Sequence, residues 1–366
     1  MNNELIGLDT VNIALKEPDF TITDLKCFKP KLTSFVCNPS KQDKQNGIYK
    51  PRITFYNSTP TVPYEQLWLE FSVPKLIYGE NFTEICEKDL ETATALLQEY
   101  LKSIYIMTTK QAIFNATLRR SDFSKNLLLS SGIQAGYVLQ LVNYSYIHGR
   151  KYKSPISYPN GTGIAINNPH KRFILYDKIS DAEKAKISEK LCIEKDYYTQ
   201  YDKIEELRKK RISILRIEQQ LNTRTEVKKA FREQGYEAVF KNAFNSSLAK
   251  HILATPWNNL LENQLPLNME FSATETFQSC TGNNPQISLN NALKNVAVQQ
   301  LIKENGTDGA INLLKTKFPA KQVNYLMSSA IMPTCEDFPA KQDILRDLIT
   351  QVEERKPLSF NQLIGE

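Results

Sequence analysis

Histidine is scarce in this chain: His148, His170 and His251 are the only three, and they lie far apart. No HxH pair exists, so a histidine-held metal centre has no support, and a lone histidine is ordinarily a surface or packing residue. The six cysteines are scattered without a CxxC pair, which argues against zinc and reads as reduced thiols of an intracellular protein. No apolar run reaches about eighteen residues, so no membrane span is expected. The first sixteen residues carry Glu4 and Asp9 but no basic residue before Lys16, unlike a signal peptide. GxGxxG, P-loop, HExxH and GxSxG motifs are all missing, which lowers ATP-driven, zinc-protease and serine-hydrolase readings. No repeat of fixed period is present.

What is present is ordinary core material. The 366 residues are 41% hydrophobic and 23% charged, enough for one elaborated domain or two and unlike disorder, collagen or coiled coil. The net charge of +6 is unevenly spread. Residues 207–232 hold nine Lys or Arg against two Glu, a surplus of seven that exceeds the whole chain's. Such a concentration favours a polyanion through phosphate neutralisation, although a solvated helix face is the plainer reading.

Residues 1–50 read as an irregular segment. Arg52–Tyr56, Leu67–Val73, Ile113–Phe123, Lys171–Ile179 and Ile212–Leu221 alternate like strands, and Asp89–Lys102 and Ile133–Tyr144 have helical periods. Pro159 to Gly163 marks a hairpin. Asp181–Arg211 reads as largely helical, and Thr223 with Glu226 three positions on forms a capping signature. Past residue 235 the pattern is mostly helical, with turns at Asn305-Gly306 and Phe318-Pro319. The expected fold is therefore α+β: a largely antiparallel central sheet with helices on one face, then a mostly helical C-terminal region. The expected divisions are 1–50, a catalytic domain at 51–235, and 236–366.

Side chains two apart in a strand share a face. That rule puts Glu70, Arg120 with Asp122, Arg172 with Tyr176 and Lys178, and Arg216 with Glu218 on the polar sides of four strands. A solvated sheet face is the default for any one of them. Across four strands it weakens, because Asp and Glu are poor strand formers. Clustered carboxylates repel unless a cation neutralises them, and a hard divalent ion with oxygen ligands is a natural one. Beside Lys178 and a metal-bound phosphate, the Tyr176 phenol could lose its proton and attack phosphorus. The product is a phosphotyrosine bond, which conserves the energy of the phosphodiester.

At these residues the chain resembles the rolling-circle replication initiators of filamentous phages, the gene II protein type, and their plasmid relatives. The likeness covers about residues 65–235. It runs in order through Leu69-Glu70-Phe71-Ser72-Val73-Pro74-Lys75 with Gly79 and Asn81, Arg119-Arg120-Ser121-Asp122-Phe123-Ser124, Arg172-Phe173-Ile174-Leu175-Tyr176-Asp177-Lys178, and Leu215-Arg216-Ile217-Glu218-Gln219-Gln220-Leu221-Asn222. The resemblance implies a cytoplasmic nickase and strand transferase acting on origin DNA, with host helicase and polymerase as further partners. Tyr176 would attack one strand and hold its 5′ phosphate, with Lys178 steadying the phosphate or the phenolate. Asp122, Glu218 and Glu70 would hold Mg²⁺ or Mn²⁺. Arg120 and Arg216 could clamp phosphate or pair with those carboxylates, and Arg120, Arg172, Arg216 and the run Arg208, Lys209, Lys210 and Arg211 are the candidate DNA contacts. Many rolling-circle nucleases bind metal through a histidine pair that this chain lacks. A second Tyr-x-Lys, at Tyr201-Asp202-Lys203, falls in a segment read as helix, so Tyr176 is preferred.

Two other classes fit parts of the sequence. A non-catalytic origin-binding initiator would use the basic window and a helix-turn-helix at 309–329, although two amphipathic helices packing on a core explain that segment more simply. A structural interaction protein would simply wet its polar sheet face.

Overall fold

Alternating burial builds the sheet. In Leu8–Lys16 (β1), Val11, Ile13 and Leu15 are wholly buried, while Thr10, Asn12 and Lys16 are half-buried. The same alternation runs through Arg52–Tyr56 (β5) and Gln66–Ser72 (β6). The computed structural model describes residues 4–129, 133–139, 156–157, 162–167, 170–184, 200–262, 286–329 and 339–365, apart from a few single positions within them, and isolated residues between 263 and 285. Its other strands are Phe20–Ile22 (β2), Lys29–Pro30 (β3), Phe35–Cys37 (β4), Ile106–Thr108 (β7), Thr117–Leu128 (β8), Ile156–Ser157 (β9), Gly163–Asn167 (β10), Lys171–Asp177 (β11) and Ile214–Leu221 (β12). The main sheet has the order β3-β4-β5-β6-β1-β8-β12-β11-β10-β9, and every neighbouring pair is antiparallel. β2 and β7 pair separately.

The helices are Val73–Tyr78 (α1), Asp89–Ser103 (α2), Lys110–Phe114 (α3), Lys178–Lys184 (α4), Tyr201–Lys209 (α5), Arg224–Glu233 (α6), Ser246–Glu262 (α7), Leu289–Lys315 (α8), Ala320–Ser329 (α9), Pro339–Glu354 (α10) and Phe360–Ile364 (α11). The fold is α+β, with an antiparallel sheet and most of the helix toward the C-terminus. One sheet face is apolar. α2 lays Ala93, Leu97 and Leu101, one turn apart, against it, and α6 adds Val227 and Phe231. α7 spans both halves of this layer, giving Leu248 and Ile252 to one core and Trp257 to a second that also holds Leu348 and Val352 of α10. At one end the opposite, polar face is covered by a smaller cluster in which Phe82, Ile179, Ile204, Leu207 and Ile214 meet Phe360, Leu363 and Ile364.

Several expectations change. Residues 1–50 are not irregular: β1 is a central strand, hydrogen-bonded to β6 on one side and β8 on the other. The strand expected at Ile113–Phe123 begins at Thr117 and runs to Leu128. Before it, Thr109 accepts a hydrogen bond from the Ala112 N–H and starts the short α3, which takes Ile113 out of the sheet. Asn305-Gly306 makes no turn, because α8 continues through it; the turn after Phe318 is present. α8 and α9 share a small core of Val298, Ala310 and Leu326. Nor is the C-terminal region a separate body, since α7 and α10 pack on the sheet. The Thr223 cap of α6 holds as expected, its hydroxyl accepting from the Glu226 N–H. Half of Ile133–Tyr144, the Pro159 hairpin tip and 185–199 lie outside the described residues. So do Cys192, Cys280 and Cys335, while Cys27, Cys37 and Cys86 are free thiols. No helix among the described residues is long and apolar enough to cross a membrane.

Candidate active site

Register assembles the polar face. Arg52, Glu70, Asn12 and Arg120 stand opposite one another on β5, β6, β1 and β8. Farther along, Asp122 pairs with Gln220, which pairs with Arg172. Ser124 pairs with Glu218, and Asn126 with Arg216, which pairs with Tyr176. Directly paired residues share a face, so Glu70, Arg120, Asp122, Arg172, Tyr176, Arg216 and Glu218 lie on one side of the sheet. Lys178 falls just past β11 as the first residue of α4.

At the centre, the Tyr176 hydroxyl donates to Glu218 Oε2 at 3.1 Å, and Gln220 Nε2 donates to Glu218 Oε1 at 2.7 Å. Both oxygens of this buried carboxylate are therefore engaged. Tyr176 is half-buried. Burial pushes the phenol far above its ordinary range, with Glu218 adding to the rise and the Arg216 guanidinium opposing it. Deprotonation would need a proton acceptor and a nearby cation; Glu218 accepts the phenol's hydrogen bond and the Arg216 charge acts on it.

Arg216 is held from the other side. Its Nη2 donates to Asp9 Oδ2 at 2.5 Å and to Ser124 Oγ at 2.6 Å, and its Nη1 donates to the Asn81 carbonyl at 3.0 Å. Burial works against ionisation of Asp9. The nearby Arg216, Lys178 and Lys75 charges and a hydrogen bond from Ser72 nevertheless hold its carboxyl below the usual range. Lys178 is buried under the Phe82 ring, 5.4 Å from its centroid. Burial, reinforced by Arg216, pulls its pKa down to about 7. The loop carrying Phe82 is tied down by the Asn126 amide, which donates to the Phe82 carbonyl at 2.9 Å, and by Glu84, which pairs with buried Lys125 at 2.9 Å.

The expected ion site takes a different form. Arg120 Nη2 lies 2.6 Å from Asp122 and Nη1 4.0 Å from Glu70, and the same guanidinium couples electrostatically to Glu218. The cation among these three acids is thus an arginine. Asn12 Oδ1, in register between Glu70 and Arg120, is buried without a partner. One amide oxygen beside an arginine-paired acid does not complete a hard-ion shell. Among the described residues no three His, Cys, Asp or Glu side chains converge closely enough to hold a metal ion. The residues in this arrangement do not fit Mg²⁺ or Mn²⁺ held by Asp122, Glu218 and Glu70. Asp122 remains short of positive charge: burial pushes its carboxyl well up, Arg120 offsets part of that, and Glu218 adds to it.

The basic window divides. Arg208, Lys209, Lys210 and Arg211 are exposed before β12, and Arg224, Lys228, Lys229 and Arg232 are exposed after it. The eight-residue strand between them spans roughly 26 Å and carries Arg216 into the interior. Lys210 is also tethered to the Ile364 carbonyl of α11. Tyr201 begins helix α5, as its sequence context indicates. Asp9 and Asn126, outside every motif, and Ser124 and Gln220, inside motifs but without an expected role, complete the site. Against protein-family models, curated proteins and solved structures alike, the chain shows no match.

Proposed function

We propose that the chain is a tyrosine DNA nickase and strand transferase of the rolling-circle type, acting on origin DNA in a bacterial cytoplasm. The observation that carries this reading is the Tyr176 hydroxyl donating to buried Glu218, with the guanidinium of Arg216 coupled to the same phenol. In the reaction, the Tyr176 oxygen forms a bond to a backbone phosphorus and its proton passes to Glu218. The bond from phosphorus to the 3′ oxygen of the preceding nucleotide breaks, and that oxygen takes a proton from solvent. The 5′ phosphate stays on the tyrosine, and the reverse attack by a 3′ hydroxyl rejoins a strand. Arg216 offsets the phenolate charge, and Lys178, titrating near neutrality, adjusts the charge around Asp9 and Arg216. Arg172 and the exposed run Arg208–Arg211 are proposed to steer the strand, leaving host helicase and polymerase to act on the opened origin.

The test uses oligonucleotides tiled across the DNA of the genetic element that encodes the chain. Wild-type protein should cut one of them and become covalently attached to its 5′ end, while Tyr176→Phe forms no adduct. Glu218→Gln should slow adduct formation by roughly 10²–10⁴-fold, the usual worth of a general base, without weakening DNA retention. Retention with no cutting by any preparation would favour the non-catalytic origin binder instead.

A further inference from the structure

The polar face continues beyond the Tyr176 cluster toward the other end of the sheet. There Trp68 of β6 lies beside Tyr56 of β5, ring centroids 4.4 Å apart, and the Arg119 guanidinium sits 3.4 Å from the Trp68 centroid. Arg119 is available because the β1–β8 register shifts between Asn12–Arg120 and Ile13–Leu118, a bulge that brings Arg119 as well as Arg120 onto this face. A second cation–aromatic pair, Lys16 over Tyr64 at 4.9 Å, extends the strip. All these side chains are only part-buried.

The strip is poor in acids. Among the described residues Arg119 has no carboxylate partner, and its charge meets that of Arg224, at the exposed start of α6. Flat aromatic groups interleaved with unneutralised guanidinium charge match a single nucleic-acid strand: every base has a face that stacks, and every phosphate needs a cation. A duplex hides its base faces and satisfies only the charge.

We propose that Tyr56, Trp68 and Arg119 form a stacking platform for single-stranded DNA. It rests on the reading of this sheet face as the one that meets DNA, and it adds where the strand leading to Tyr176 is held. Ser124, opposite Glu218, and Thr117, level with Trp68 through Ala14, are seven residues apart on β8, roughly 24 Å. A few extended nucleotides bridge that distance.

The chain contains two tryptophans, and the other, Trp257, is completely buried, so a strand-dependent change in tryptophan emission reports Trp68. The full-length Tyr176→Phe protein is titrated with oligothymidylate, with the same length of duplex, and with oligouridylate. Oligothymidylate should quench the emission and the duplex should not. Trp68→Ala should weaken oligothymidylate binding, followed by anisotropy of a labelled strand, about tenfold, within the usual worth of one stacked base. Trp68→Phe should retain most of it, which separates stacking from folding, and Arg119→Gln should weaken binding while lowering its salt dependence. Absent quenching, or Trp68→Ala binding as tightly as the parent, overturns the platform. Quenching by oligouridylate alone would make it an RNA site and overturns it equally. Failure of the nicking reading looks different: wild-type protein then forms no adduct with any oligonucleotide, while oligothymidylate still quenches Trp68.

Discussion

The guanidinium of Arg216 ends on the carboxylate of Asp9, 207 positions away in the chain, and both are buried. Removing one partner of such a pair strands the other charge in the interior, which costs more than the pair contributes. Asp9→Asn should therefore destabilise the protein by about 3 kcal/mol in urea unfolding and slow adduct formation, because Arg216 loses the contact that aims it. Little loss in both measurements would mean that Asn81 and Ser124 suffice to hold Arg216. Lys178 makes a pH prediction. The unfolded chain keeps this proton up to its ordinary 10.5, the folded chain only to about 7. Between those values the unfolded state binds more protons, so this group makes stability rise with pH through that window. The slope is at most about 1.4 kcal/mol per pH unit. Below pH 7 both states are protonated and the full cost of burying the charge is present. Lys178→Met should thus be more stable than wild type at neutral pH and should flatten the wild-type rise between pH 7 and 10, measured by urea unfolding across that range.

β1 brings Asp9 and Asn12 into the site, between β6 and β8. Gly7 fixes its entry with φ +63°, and a Cβ there would lie 2.2 Å from the Ser124 carbonyl oxygen. Gly7→Ala should cost about 3 kcal/mol by thermal or chemical unfolding, through both the left-handed backbone and that clash. The strands β6, β11 and β12 were legible because two-residue alternation survives in any sheet, and it correctly put Glu70, Tyr176, Arg216 and Glu218 on one face. β1 has the same alternation in Val11, Ile13 and Leu15. Its identity as a central strand depends on partners 50 to 62 residues away in β6 and beyond 100 in β8, which no local pattern reports. The bulge at Arg119 was equally invisible, because it arises from the pairing of two strands. The acids were legible as a cluster and Arg120 as a cation that could pair with them, but a face-sharing rule does not say that its guanidinium, between Asp122 and Glu70, stands where a metal ion was expected.

The ends of the chain close over the sheet together. Arg355 donates to the Leu5 carbonyl, Leu358 N–H donates to Glu84 at 2.9 Å, and Phe360 packs on Phe82, the ring that covers Lys178. Phe360→Ala should lower stability by about 3–5 kcal/mol and raise the pKa of Lys178 by admitting water, measured by unfolding and by side-chain NMR of that lysine. The two exposed basic groups flanking β12 stand at opposite ends of the strand. The decisive measurement is mass spectrometry of the proteolysed protein after reaction with the cut oligonucleotide. The arrangement around Glu218 predicts a nucleotide 5′ phosphate on the peptide containing Tyr176 and its disappearance in Tyr176→Phe. An adduct on Tyr201 or any other residue, or cleavage that leaves Tyr176 unmodified, would contradict it.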